Sequence, residues 1–153
     1  MANICSVNIR VKSVDNASAQ KLFDRLIALQ KEADAQHIGI FIGSQRYLFD
    51  SAIEYCGTAV KLDGWVKWGF SDDEFIALIK FLREIAPVTE CYIKYEECGC
   101  LLYGELQYDG TMLADCYLPE DDYPKDFDSE TFYDDLEAAY QRFQEIREIE
   151  AEF

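Results

Sequence analysis

Positive charge is scarce in this sequence: 14 Lys and Arg stand against 30 Asp and Glu, a net charge of −16 over 153 residues. Nucleic-acid-binding chains draw much of their affinity from neutralised phosphates. Adhesion to an anionic membrane surface also depends on basic residues. The composition therefore argues against direct binding to either. Histidine is limited to His37, which has no evident nucleophile beside it and reads as a helix-end residue. No apolar run approaches the ~18 residues of a membrane span. The opening Met1-Ala2-Asn3-Ile4-Cys5-Ser6 lacks the basic and apolar regions of a signal peptide, so the expected compartment is the cytoplasm. The phosphate-loop, dinucleotide, zinc-protease and nucleophile-elbow motifs are all missing. There is no fixed-period repeat and no low-complexity tract.

What is present is a foldable core. Half of the residues are hydrophobic and 14% are aromatic, a content that acidic disordered tails lack. A chain of this length buries roughly 70% of its unfolded surface. A single domain over 1–153 is expected, with an α+β core in 1–118 and an acidic loop and helix in 119–153. Without a secretion signal, Cys5, Cys56, Cys91, Cys98, Cys100 and Cys116 read as reduced thiols. Cys5, Cys56, Cys91 and Cys116 lie in apolar or strand-like stretches and read as small core residues. Cys98-Gly99-Cys100 lacks the spacing of a zinc knuckle or a thioredoxin motif. Asp126–Glu130 resembles a calcium loop without its central glycine and terminal glutamate. Glu96-Glu97 and Asp121-Asp122 are adjacent carboxylates, not a facing acid/base pair. No catalytic residue, metal or cofactor is assigned.

Hydrophobic periodicity gives the element order. Ile4–Val11 alternates, with Cys5, Val7, Ile9 and Val11 on an apolar face, and predicts a half-buried strand. Asp15–Ser18 offers helix caps, and Leu22, Phe23, Leu26, Ile27, Leu29 and Ala33 trace an amphipathic helix ending near His37-Ile38-Gly39. Ile40–Ile42 and Tyr47–Phe49 read as short strands or buried loop. Ile53–Leu62 alternates again, and Asp63-Gly64 then signals a hairpin turn into Trp65–Trp68. Ser71-Asp72-Asp73-Glu74 is a capping box for a helix on Phe75, Leu78, Ile79, Leu82 and Ile85, which Pro87 ends. Cys91–Glu97, Cys100–Tyr108 and Thr111–Leu118 read as strands, the last two joined at Asp109-Gly110. Pro119–Asp128 is an acidic loop, and Ser129 caps a final helix on Phe132, Leu136, Ala139, Tyr140, Phe143, Ile146, Ile149 and Phe153. Antiparallel or mixed strands with helices on one face make an α+β sandwich. The β-α-β-β-α-β portion predicts a ferredoxin-like split βαβ core.

Ala2–Ser6 leading into a strand resembles the start of phage- and plasmid-borne proteins with a YubB-type ferredoxin-like domain. Trp65 and Trp68 before the second helix, Tyr95-Glu96-Glu97 with Gly99, and Gly104 followed by Asp109-Gly110 are similar in order and type. The resemblance spans residues 2–118. It departs at Val7, where the family has a polar Asn, and at Gly69-Phe70, where it has proline. It implies a ferredoxin-like fold and a mobile-element origin, and no enzymatic activity.

The acidity has an address. Residues 1–114 hold 16 acidic and 11 basic side chains, whereas 115–153 hold 14 and 3. Asp128, Glu130, Asp134 and Asp135 suit the start of a helix, but Glu148, Glu150 and Glu152 sit where a helix dipole disfavours anions. On a helix, Glu137, Glu145, Glu148 and Glu152 form one stripe, extended by Asp134 and by Glu120, Asp121, Asp122 and Asp126 of the loop. Such a row offers Lys and Arg the kind of negative oxygens a phosphate backbone does. A solvated, solubilising face is the plain alternative. Trp65 and Trp68 are candidate anchors, one of them exposed beside Tyr95. The functional expectation is a non-enzymatic, nucleic-acid-mimicking inhibitor of a host defence nuclease complex, of anti-CRISPR or anti-restriction type. Its partner would be a protein with a basic nucleic-acid-binding groove. A regulatory domain that forms a homodimer, and an enzyme with a site at Cys98 and Cys100, are the other readings.

Overall fold

The computed structural model describes residues 4–43, 47–67, 70–97, 102–110, 113–117, 138 and 145–149. The elements run β1 (Ile4–Lys12), α1 (Asn16–Ala35), β2 (Ile40–Phe41), β3 (Tyr47–Cys56), β4 (Ala59–Lys67), α2 (Asp72–Ile85), β5 (Glu90–Glu97), β6 (Leu102–Tyr108), β7 (Leu113–Tyr117) and β8 (Glu145–Ile149). All eight strands join one sheet in the order β2-β3-β4-β1-β5-β6-β7-β8. Every described pairing is antiparallel.

That order interleaves two crossovers. β4 is antiparallel to both β3 and β1, so β1 and β3 run parallel with β4 between them, linked through α1. In the same way β4 and β5 run parallel on either side of β1, linked through α2. β6, β7 and β8 extend the sheet beyond β5.

The period of two in β1 decides how the sheet is covered. Cys5, Val7, Ile9 and Val11 are buried while Ser6, Asn8, Arg10 and Lys12 are exposed. The buried set shares one core with Leu22 and Leu26 of α1 and with Phe75, Leu78, Ile79 and Leu82 of α2. Both helices therefore lie on the same side. Each such large apolar side chain contributes about 1.5–3 kcal/mol of transfer free energy before entropy is charged against it.

Local chemistry sets the helix ends. The Asp15 carboxylate accepts from the Ser18 backbone N–H at 2.7 Å, which holds its pKa below the ordinary carboxylate value. The Ser71 capping box is complete, with Glu74 N to Ser71 Oγ at 3.3 Å and Ser71 N to Glu74 Oε2 at 2.8 Å. α1 closes differently from expectation. It ends at Ala35, and His37, not Gly39, takes the left-handed conformation with φ 55°. The Ile38 N–H then reaches back to the Ala33 carbonyl at 3.0 Å.

Two sequence readings are corrected. Asp63-Gly64 is not a turn, because both residues lie inside β4. The reversal falls at Gly57-Thr58, where Gly57 has φ 68°, the sign a two-residue hairpin demands of its first loop position. Gly64 is small for another reason: a Cβ there would stand 2.6 Å from the Phe49 carbonyl oxygen. The second correction concerns the final helix, which does not extend over 145–149. Those residues form β8 and pair with β7, Leu113 opposite Ile149 and Tyr117 opposite Glu145. An open β7 edge leaves unpaired backbone groups that a further strand satisfies. The remainder of the expected helix lies outside the described residues, apart from Ala138, which is helical and exposed.

Candidate functional site

The face of the sheet turned away from the helices is where polar and aromatic side chains gather. Register assigns the neighbours. Ser6 stands opposite Trp65 and Glu96, Asn8 opposite Asp63 and Lys94, Arg10 opposite Lys61 and Tyr92, and Lys12 opposite Ala59 and Glu90. Five of the chain's cations, Arg10, Lys12, Lys61, Lys67 and Lys94, belong to this face.

At one end is an aromatic ledge. The β3–β4 register shifts between Phe49 and Ala52, and Asp50 within this bulge takes φ 48°. A non-glycine residue in the left-handed region is uncommon, although Asp tolerates it better than most. The bulge aims the Asp50 carboxylate at the indole: Trp65 Nε1 donates to Oδ2 at 2.8 Å. Phe49 stacks on Trp65 with centroids 4.4 Å apart and planes at 22°, and Lys67 Nζ lies 5.8 Å from the Phe49 centroid. The close approach of β3 to Gly64 makes this stack possible.

The middle of the face is a depression of about 570 Å³ whose wall includes the cations Arg10, Lys12 and Lys61, the carboxylates Asp63, Glu90 and Asp109, and Asn8 and Tyr92. Asn8 Nδ2 donates to Asp63 Oδ1 at 2.7 Å, and Lys12 Nζ lies 3.9 Å from Glu90. The Tyr92 hydroxyl donates to Glu105, a carboxylate that is only 7% exposed. Lys94 pairs with Glu96 at 3.2 Å. Arg10 and Lys61 carry no recognisable motif, and their meeting depends wholly on the β1–β4 register.

Of the residues singled out from the sequence, Trp65 is placed by the structure on this open face, half-buried in its stack. Tyr95 is not beside it: Tyr95 is opposite Val7, on the helix-covered side, and buried. Glu145 and Glu148 stand on β8 opposite Tyr117 and Ala114. Helical spacing therefore does not align them there. Glu120, Asp121, Asp122, Asp126, Asp134, Glu137, Glu152 and Trp68 lie outside the described residues, as do Cys98 and Cys100. Cys5 and Cys91 are buried in the core. Burial alone pushes the Cys91 thiol up to about 12, which removes it from nucleophilic chemistry near neutral pH. Among the described residues there is no cluster of three or more metal-ligating side chains, and no helix is long and apolar enough to cross a membrane.

The open face therefore offers recognition chemistry, a fixed aromatic stack and unequal charges, with no nucleophile–base pair among its described residues. No protein-family model, no curated protein and no solved structure matches the chain.

Proposed function

We propose that this chain is a binding protein that engages a basic, nucleic-acid-binding surface of another macromolecule through its acidic C-terminal quarter. The observation that carries the reading is the charge distribution: 14 acidic against 3 basic residues in 115–153. Carboxylate rows present Lys and Arg with oxygens that substitute for phosphates. Part of that quarter is β8, hydrogen-bonded to the sheet, so Glu145 and Glu148 stand on a backbone held in fixed register with β7. Positions held on a strand lose less ordering entropy on binding than those of a floating tail.

The interleaved β1-α1-β3 and β4-α2-β5 crossovers support a ferredoxin-like core, with β6, β7 and β8 as an extension of its sheet. The resemblance to mobile-element proteins suggests the finer reading, inhibition of a host restriction or CRISPR nuclease complex by occupying its DNA- or RNA-binding groove.

Plasmid-cleavage assays with a restriction complex and an RNA-guided nuclease test this. Inhibition should weaken steeply as salt rises, since exposed charges are screened over about 8 Å at physiological ionic strength. The quadruple Gln variant at Glu137, Glu145, Glu148 and Glu152 should lose it. Undiminished inhibition by that variant, or no inhibition of either complex by the native protein, refutes the reading.

A further inference from the structure

We propose that the depression on the open sheet face is a binding site for a small phosphomonoester, with Arg10 and Lys61 as the groups that hold its phosphate. This inference is independent of the role given to the acidic quarter.

The argument begins with an electrostatic fault in the bare protein. Arg10 and Lys61 are direct cross-strand partners, with Cβ atoms about 5 Å apart as in any such pair. Like charges in that relation oppose strand pairing. The nearby carboxylates, Glu54, Asp63, Glu90 and Asp109, form no ion pair with either cation among the described residues. Glu54 is opposite Lys61 on β3. Asp63 is engaged by Asn8, and Glu90 approaches Lys12 at 3.9 Å. In a chain of net charge −16, two facing cations that make no ion pair among the described residues are the exception that a bound anion explains.

The shape agrees. The depression of about 570 Å³ falls in the size range of small-ligand sites. A phosphate spans two cationic side chains naturally, taking a bidentate pair of N–H groups from a guanidinium and a point charge from an ammonium. Tyr92, opposite Arg10 on β5, is tethered through its hydroxyl to Glu105. The ring is thus a fixed flat wall beside the cations, suited to a planar group attached to the phosphate.

Net charge decides the size of the ligand. Repulsion from a strongly acidic protein grows with every phosphate added, so a nucleic-acid strand is disfavoured. A ligand of charge about −2 held against two cations lies within their screening length. The shared chemistry is a phosphomonoester; free phosphate and a nucleoside monophosphate are its two sources.

The test is an amide-resolved NMR titration of the full chain at constant ionic strength. Inorganic phosphate, the first probe, should give saturable shifts at residues 8–12, 60–62 and 91–93, with chloride as the inert control. Adenosine monophosphate, the second, should bind about tenfold more tightly if the Tyr92 ring takes the base. Equal affinities assign the site to the phosphate alone. Arg10→Gln and Lys61→Gln, both at exposed strand positions, should each weaken binding by about tenfold. Lys61→Gln should also raise the melting temperature of the ligand-free protein, and phosphate should raise that of the native protein more than that of the variant. The proposal is overturned if phosphate at roughly 20 mM, well above a millimolar Kd, shifts nothing that chloride does not. It is equally overturned if both variants bind phosphate as the native chain does.

Discussion

Replacing Gly64 with alanine tests the account of β4 directly. A Cβ at this position would lie 2.6 Å from the Phe49 carbonyl oxygen, 2.8 Å from Leu48 Cδ1 and 3.0 Å from Leu48 Cγ. The leucine can change rotamer, but the carbonyl belongs to the β3 backbone at its register shift and can retreat only if the bulge moves. Overpacking of this kind costs about 1–3 kcal/mol, and a backbone obstacle places Gly64→Ala in the upper half of that range. For a chain of this size the melting temperature should fall by roughly 4–10 °C, and the urea midpoint by about 1 M. Displacing the bulge also pulls Phe49 off Trp65 and Asp50 off the indole N–H, so Trp65 emission, read in a Trp68→Phe background, should shift as well. Adding Leu48→Val separates the two obstacles: if the carbonyl dominates, the cost persists. A loss under about 0.5 kcal/mol, the level of an ordinary surface change, with unaltered emission, would refute the close-approach explanation.

Other outcomes follow from the same structure. At Gly104 a Cβ would collide with the end of the buried Tyr95 ring, so Gly104→Ala should lower the urea midpoint by an amount worth about 1–3 kcal/mol. In a Tyr95→Leu background the same change should become neutral or mildly stabilising, as Gly→Ala in a strand interior normally is. Ser71→Ala removes half of the capping box and should cost about 0.5–2 kcal/mol in chemical denaturation. Burial raises the Cys91 thiol from 9.0 to about 12. The unfolded chain therefore ionises first between those values, and stability should fall with rising pH by about 1.4 kcal/mol per unit. That component of the pH dependence, measured by urea midpoints above pH 9, should be absent from Cys91→Ala. In the native protein at pH 8, Cys91 should resist alkylation until the chain unfolds.

Much of the architecture was legible because its signals are local. The alternation in β1 needs only its own nine residues, and the Ser71–Glu74 box needs only four. Two of the misread places have non-local causes. Asp63-Gly64 has the composition of a turn, but its glycine answers to a carbonyl on another strand, which no window around residue 64 contains. Residues 145–149 carry a helical period in sequence, yet the decisive term is the edge of β7, some thirty positions upstream. The carboxylates that a helix terminus disfavours, Glu148 among them, already weighed against a helix there. The open face suffered most from the misplaced turn. Moving the reversal from residues 57–58 to 63–64 breaks the pairing of Arg10 with Lys61 and of Ser6 with Trp65, so two adjacent features of one surface read as unrelated residues.

The alternation of β1 gives the strand two separate scripts. In β1, Cys5, Val7, Ile9 and Val11 answer to the core, and Ser6, Asn8, Arg10 and Lys12 answer to whatever meets the opposite face. Selection can rewrite the second set without disturbing the first, because neighbouring positions point to opposite sides. Such a scaffold can change what its second face recognises by single substitutions while its folding stability stays nearly constant.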